Sequence, residues 1–216
     1  MSLINIGQTR KVLKWLGLVL SIYCILLMSC KKETEYYYLN EDEKKFGGFQ
    51  SGSYWIYQDD STFQQDSIYC ISYNKHFENR IDDGQIVESD EYYDSQLKST
   101  IDSTANLRIS IKAYSQTSAS YSYVFRFWSL GFGYSSTDNQ VHSGRPNDQF
   151  VLNRYDQLTV NGNNYQDVTE LQATSVTSPY KSVLIAPDFG VIKWFIKSND
   201  STIVGSWSLI RCKINK

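Results

Sequence analysis

The chain has 216 residues with 21 Lys+Arg against 23 Asp+Glu, a net charge of −2, and it carries 17 Tyr but only three Pro. A balance this close to neutral argues against nucleic-acid binding, which needs a basic face to displace phosphate counterions. Neither a CxxC nor a histidine pair at metal spacing occurs, so the residues do not compose a zinc site. No cofactor is expected.

The first informative stretch is Lys11–Cys30. Arg10, Lys11 and Lys14 form a positive region, and Trp15–Met28 then carries no charge. That apolar run has signal-peptide length and falls short of the ~20 residues that a spanning helix needs. Small Ser29 precedes Cys30, and the polar chain begins at once with Lys31 and Lys32. Leu27-Met28-Ser29-Cys30 resembles the bacterial lipobox, departing from it at Met28, where a smaller or β-branched residue is usual. The resemblance implies a lipoprotein signal peptide over 1–29, cleaved to leave lipidated Cys30 as the first residue. Two or more acyl chains, at ~0.8 kcal/mol per buried methylene, anchor stably where one is marginal. The alternatives are an ordinary cleaved signal and an uncleaved anchor helix extended back through Val12.

Cleavage there leaves 187 residues (216 less 29), enough for one domain and its core. The leader takes three basic residues with it, so the remainder holds 18 Lys+Arg against 23 Asp+Glu, a net charge of −5. Cys24 leaves with the leader. Cys70 and Cys212 remain, and in an exported protein a disulfide between them is chemically permitted. It would close a long loop and stabilise by roughly 4–5 kcal/mol in the chain-entropy picture. Two buried free thiols are the other reading.

Residues 30–50 read as the lipidated cysteine and a tether of mixed charge ending at Gly47-Gly48, with Tyr36-Tyr37-Tyr38 at the edge of the fold. Lys31-Lys32-Glu33-Thr34-Glu35 is similar to the short charged signals that send some Bacteroidetes lipoproteins to the cell exterior. A single all-β domain is expected over 51–216. Tyr54–Tyr57 reads as a strand, and Ser67–Tyr73 as another with Ile68 and Cys70 on one face. His76–Glu91 is polar and turns at Asp82-Asp83-Gly84, and Glu88–Thr100 suits an irregular edge strand. Leu107–Tyr114 alternates most regularly: Leu107, Ile109, Ile111 and Ala113 face one way, as in a half-buried antiparallel strand. Tyr121–Leu130 reads as one aromatic strand and Gly131–Asn147 as a long loop. Asn161-Gly162 after Leu158–Val160 is the dipeptide of a type I′ hairpin, returning through Tyr165–Ala173. Val183–Ala186, the turn Pro187–Gly190, Val191–Lys197 and Thr202–Ile214 complete nine to eleven strands. Short sequential turns imply an antiparallel meander, curved or barrel-like, with a β-sandwich as the alternative.

Three segments in this order, Phe49–Tyr57, Val160–Val168 and Ala186–Trp194, resemble small uncharacterised lipoproteins of the Bacteroidetes kind. Asp188 stands where a Gly is usual there. The resemblance implies a curved antiparallel sheet and an envelope location, with no assigned activity. A looser likeness to half-barrel lipid carriers is fold-level analogy.

The acidic run Asp82, Asp83, Glu88, Asp90, Glu91, Asp94 fails the EF-hand template at Ile81 and reads as a solvated loop, as do Asp59, Asp60 and Asp66. His76 and His142 stand apart in polar stretches. Tyr54, Trp55, Tyr57, Trp128, Trp194 and Trp207 would form a sugar-stacking platform if exposed, and alternating aromatics otherwise pack in a core. The leading expectation is a lipid-anchored outer-membrane protein, facing the periplasm or the cell exterior. Its role would be non-catalytic, binding a protein, glycan or lipid partner. A carrier with a cavity lined by the Leu107–Ala113 face and Trp194 is the second reading, and an unrecognised hydrolase the third.

Overall fold

The computed structural model describes residues 15–16, 19–21, 33–102, 104, 107–115, 118–125, 128–135, 140–143, 150–173, 180–197 and 203–216. Cys30 lies outside them. In the expected leader, Trp15, Leu16, Val19, Leu20 and Ser21 are helical, and the four apolar side chains are exposed. Among the described residues no helix is long and apolar enough to cross a membrane.

Among the described residues, thirteen strands form one sheet. They are β1 (Glu35–Tyr37), β2 (Tyr54–Asp59), β3 (Gln65–Asp82), β4 (Gln85–Ser99), β5 (Leu107–Ser115), β6 (Ser118–Phe125), β7 (Trp128–Ser135), β8 (Gln140–Ser143), β9 (Phe150–Val160), β10 (Asn163–Ala173), β11 (Tyr180–Ala186), β12 (Gly190–Lys197) and β13 (Ile203–Lys213). The strand order is 8-7-6-5-4-3-2-13-12-11-10-9, so two antiparallel meanders meet where β2 pairs with β13. The two edges, β8 and β9, are consecutive strands that approach one another without a ladder. The sheet is therefore curved and open, an antiparallel meander as the sequence implies, and the sandwich alternative is not formed.

One face of the central strands supplies the core. Trp55 and Tyr57 of β2, Ile68 and Cys70 of β3, Leu97 of β4, and Leu107, Ile109, Ile111 and Ala113 of β5 are all buried. Across the β2–β13 seam the same core continues through Leu209, Trp207, Trp194, Val191, Ile185 and Leu171.

The expected tether is the first correction. From Glu35 onward it belongs to the folded body: β1 pairs in parallel with β4, and a one-turn helix α1 (Glu41–Lys44) follows. Asn40 caps α1 by accepting from the Glu43 amide, while Glu43 reaches back to the Asn40 amide, the reciprocal capping box. Leu39, Phe46 and Phe49 are buried in the core. The Tyr121 hydroxyl donates to Glu43 O (2.6 Å), the Ser95 hydroxyl to Phe49 O (2.6 Å), and the Leu39 amide donates to Glu91 (2.8 Å). Residues 39–49 thus form a strap across the face of β4, β5 and β6.

The polar stretch His76–Glu91 is no loop. It is the outer half of a long β3–β4 hairpin that turns at Asp83-Gly84, where both residues adopt positive φ (47° and 75°). From Glu88 the second strand is no irregular edge either, because β4 pairs with β3 on one side and on the other with β1 at Glu88–Asp90 and β5 at Tyr92–Leu97. The stretch between Tyr121 and Asn147 also divides differently, into β6, β7 and β8.

A candidate polar cleft beside the sheet opening

The Asn161-Gly162 turn forms as its sequence dictates, with φ of 49° and 79°, the backbone a two-residue I′ hairpin requires. It joins β9 to β10 in continuous register from Asn163↔Val160 to Ala173↔Phe150, except at Asp167. Asp167 adopts φ 53°, a left-handed conformation uncommon for a non-glycine residue. The second turn, Pro187–Gly190, carries Asp188 at φ 67°. That is the left-handed conformation a glycine takes without strain, so the chemistry of the turn accounts for the glycine that the resemblance expects there. The Asp188 amide donates to Lys45 O (2.7 Å), tying the turn to the end of α1.

These pieces enclose a cleft of about 820 Å³. Its walls are Asp42, Lys45 and Phe46 beside α1, Tyr134 of β7, Arg154, Tyr155 and Asp156 of β9, and Asn164, Gln166, Asp167, Val168 and Thr169 of β10, with Pro187, Asp188 and Phe189 of the turn. The aromatic members are held from behind. Phe46 packs on Tyr134 (ring centroids 5.0 Å), and Phe189 meets Tyr165 edge-on (5.0 Å). Tyr155 donates to Glu170 (2.8 Å), and that bond holds its hydroxyl above the usual phenol range. Lys45 pairs with Asp42 (2.7 Å), and Asp188 with Lys216 (3.0 Å). Four carboxylates, two cations and two side-chain amides face a space bordered by rings. The lining includes no serine, cysteine or histidine.

Sequence reasoning named none of these residues as a site. The two turns that position them were legible, but the meeting of β7, α1 and β9–β10 is a long-range event without a local signal.

The residues that the sequence did single out go elsewhere. Trp55 and Tyr57 are core residues, donating to Phe189 O and Val191 O (both 2.8 Å). Trp194 lies between Tyr57 (4.6 Å) and Trp207 (6.0 Å). These four make no exposed platform. Tyr54 is half-buried, and Trp128 sits on β7 with its side chain outside the described ones. His76 is on β3 against Tyr92 (4.8 Å), and His142 is on β8, five strands away in the sheet order.

The acidic residues are corrected too. Asp59 and Asp66 are buried rather than solvated. Asp59 accepts from the Ser61 and Thr62 amides (2.9 and 2.8 Å), and Asp66 accepts from the Ser99 hydroxyl (2.8 Å). Asp60 gathers Lys193 (2.7 Å), Ser206 and Ser208. In the run from Asp82, Asp90 and Glu91 are buried, Glu88 pairs with Arg80 (2.6 Å), and Asp94 pairs with Arg108. No group of three potential metal ligands occurs among the described residues.

Cys70 and Cys212 are both free thiols. The register explains why: Cys212 is opposite Trp55, which is opposite Ile68, two residues before Cys70. With β2 between them, the cysteines are separated by two inter-strand steps, roughly 10 Å, beyond disulfide reach. Cys70 instead donates to Phe49 O (3.4 Å) and Ser72 O (3.3 Å), and burial pushes its thiol up to about 11.

Fold and cleft together define an open, curved antiparallel sheet that carries its own N-terminal strap and a polar pocket beside the opening. No protein-family model matches the chain, and no curated protein does. Among solved structures, the chain is similar to one from Vibrio parahaemolyticus described as a "putative outer membrane lipoprotein-sorting protein domain". The identity is 9%, the match covers 70% of this chain and 86% of that one, and the TM-score is 0.22.

Proposed function

We propose that this is a lipid-anchored envelope protein whose folded body binds a polar, hydroxyl-rich ligand, such as a glycan, without transforming it. Acyl chains on Cys30 hold it to the bacterial outer membrane, on the periplasmic or the outer side. The wall of the cleft carries the reading. Asn164, Gln166, Asp156 and Asp167 offer planar donors and acceptors to vicinal hydroxyls, while the half-buried Tyr155 and Phe189 offer rings. Such a mixture fixes a polar ligand's orientation through a few placed hydrogen bonds.

The apolar carrier is less well supported. The Leu107–Ala113 face and Trp194, which would line its cavity, are packed in the core, and Phe46 and Phe49 belong to the same cluster. A serine or cysteine hydrolase would need that nucleophile and a histidine in the cleft, and its lining includes none of the three.

Titration calorimetry of the acylated protein against a panel of neutral and acidic oligosaccharides tests the ligand class. Binding that weakens at least tenfold in Asp167→Asn/Tyr155→Ala, with the sugar recovered intact, is the expected result. Binding of fatty acid and of no sugar would reverse the assignment. Radiolabelled palmitate should enter the wild type and be lost in Cys30→Ala; equal labelling of both removes the lipid anchor.

A further inference from the structure

The outer half of the β3–β4 hairpin, with β1 beside it, has two chemically different faces. On one, Tyr36 and Tyr38 stack on each other (6.5 Å), and both meet Phe77 edge-on (6.2 and 5.5 Å). All three rings are exposed, Tyr36 and Tyr38 by more than half. Asn79 lies on the same face, bonded to Ser89 (2.8 Å), the residue opposite Tyr36. The reverse face is ionic. Arg80 pairs with Glu88 (2.6 Å), and Lys112 bridges Glu78 and Asp90 (both 3.1 Å). Three exposed rings, brought together from β1, the residue that follows it and β3, form a patch that a water-facing arm does not require.

Chain length says what covers it. Tyr36 is six residues from Cys30, so the patch lies within roughly 20 Å of the lipidated sulfur at ~3.3 Å per residue. Tyrosine rings with wet hydroxyls are the side chains that settle at the headgroup level of a bilayer. We infer that the Tyr36–Tyr38–Phe77 face docks on the membrane surface beside the acyl anchor, so that the hairpin lies along the headgroups with its ionic face toward water. The inference rests on the lipid-anchor reading. It adds that the body has a fixed orientation on the membrane rather than swinging on a tether. The opening of the cleft then holds a set direction relative to the bilayer.

The test places an environment-sensitive fluorophore on either face of the full acylated chain, at Asn79→Cys or at Arg80→Cys. Both leave the aromatic trio in place. In phosphatidylethanolamine–phosphatidylglycerol vesicles the probe at 79 should shift to the blue and be quenched by brominated lipid. Aqueous iodide should quench it severalfold less than the probe at 80. Adding Tyr36→Ser/Tyr38→Ser/Phe77→Ser should abolish the difference, with tryptophan emission reporting that the core is intact. Should that variant unfold, Tyr38→Ser alone, outside β1, replaces it. Equal iodide access at both positions, with palmitate incorporated, overturns the docking and leaves the anchor. Shielding at 79 without bromine quenching also overturns it, by showing a protein on that face. Absence of palmitate instead removes the anchor reading itself, and the docking falls with it.

Discussion

Gly48 lies against the ring of Tyr93 so closely that a β-carbon at position 48 would stand 2.8 Å from Tyr93 Cδ2, with the backbone at φ +67°. Its neighbour Gly47 is as close to Ile111, where a β-carbon would be 2.9 Å from Cγ2. The pair lets the strap cross the sheet at backbone distance. Gly48→Ala should therefore carry both left-handed strain and overpacking, together about 2–4 kcal/mol. Gly162→Ala is the comparison, since it shares the positive φ (+79°) but has no atom within 4 Å. It should cost only ~1 kcal/mol. Chemical denaturation midpoints rank the two, and equal losses would show that the contact with Tyr93 is immaterial.

Buried hydroxyls that fasten one layer to another give the second prediction. Tyr57 donates to Val191 O across the core, and Tyr121 donates to Glu43 O in the strap. Replacing either by Phe keeps the ring and leaves a dry carbonyl with a lost donor, a cost of about 1–2 kcal/mol. For Tyr121→Phe the loss should be accompanied by faster amide exchange in residues 39–49. Unchanged exchange there would mean that the strap holds without this bond.

The contrast between β5 and the strap explains what was legible in the sequence. Leu107, Ile109, Ile111 and Ala113 alternate with polar residues because one face is dry and the other wet, and that period is local. The turns at Asn161-Gly162 and Asp188 were legible for the same reason, since they depend on the backbone of two residues. Residues 39–49 have no period. Their charges, Glu41, Asp42, Glu43, Lys44 and Lys45, look like a tether, and only Leu39, Phe46 and Phe49 betray the burial. The outer half of β3 fails differently: both of its faces are largely wet, so alternation is lost and its polar residues imitate a loop. The cleft was invisible because its walls come from four separate parts of the chain.

The thiols give a third prediction. Cys70 and Cys212 should both be alkylated in unfolded protein without prior reduction, giving one unlinked species by mass. In the native protein Cys70 should react slowly at pH 8, because burial raises its thiol to about 11 and the thiolate is the nucleophile. A reductant should then leave the thermal midpoint unchanged. A drop of several degrees on reduction would require a bridge and a different β2–β13 register.

Two buried glutamates, Glu43 within the strap and Glu91 against it, should respond oppositely to pH. Burial works against the charge of Glu91, but Lys75 (2.5 Å), the Leu39 amide and the Tyr93 hydroxyl overcome it and hold its carboxyl below the ordinary value. A depressed folded pKa contributes stability above the unfolded pKa, and that contribution is lost as pH falls through the folded one. Glu91→Gln should therefore cost ~2 kcal/mol near neutrality, with the gap to wild type closing in acid. Burial raises Glu43, against the pull of the Asn40 amide, and its Oε1 accepts no hydrogen bond. Here the sign is reversed: the contribution is full below the unfolded pKa and is lost as pH rises through the folded one. Glu43→Gln retains an acceptor for the Asn40 amide and removes the buried charge, so it should match wild type in acid and exceed it at neutral pH. Denaturation midpoints from pH 3 to 8 read both slopes. If the two variants ran parallel to wild type across that range, the strap would not bury these carboxylates as described.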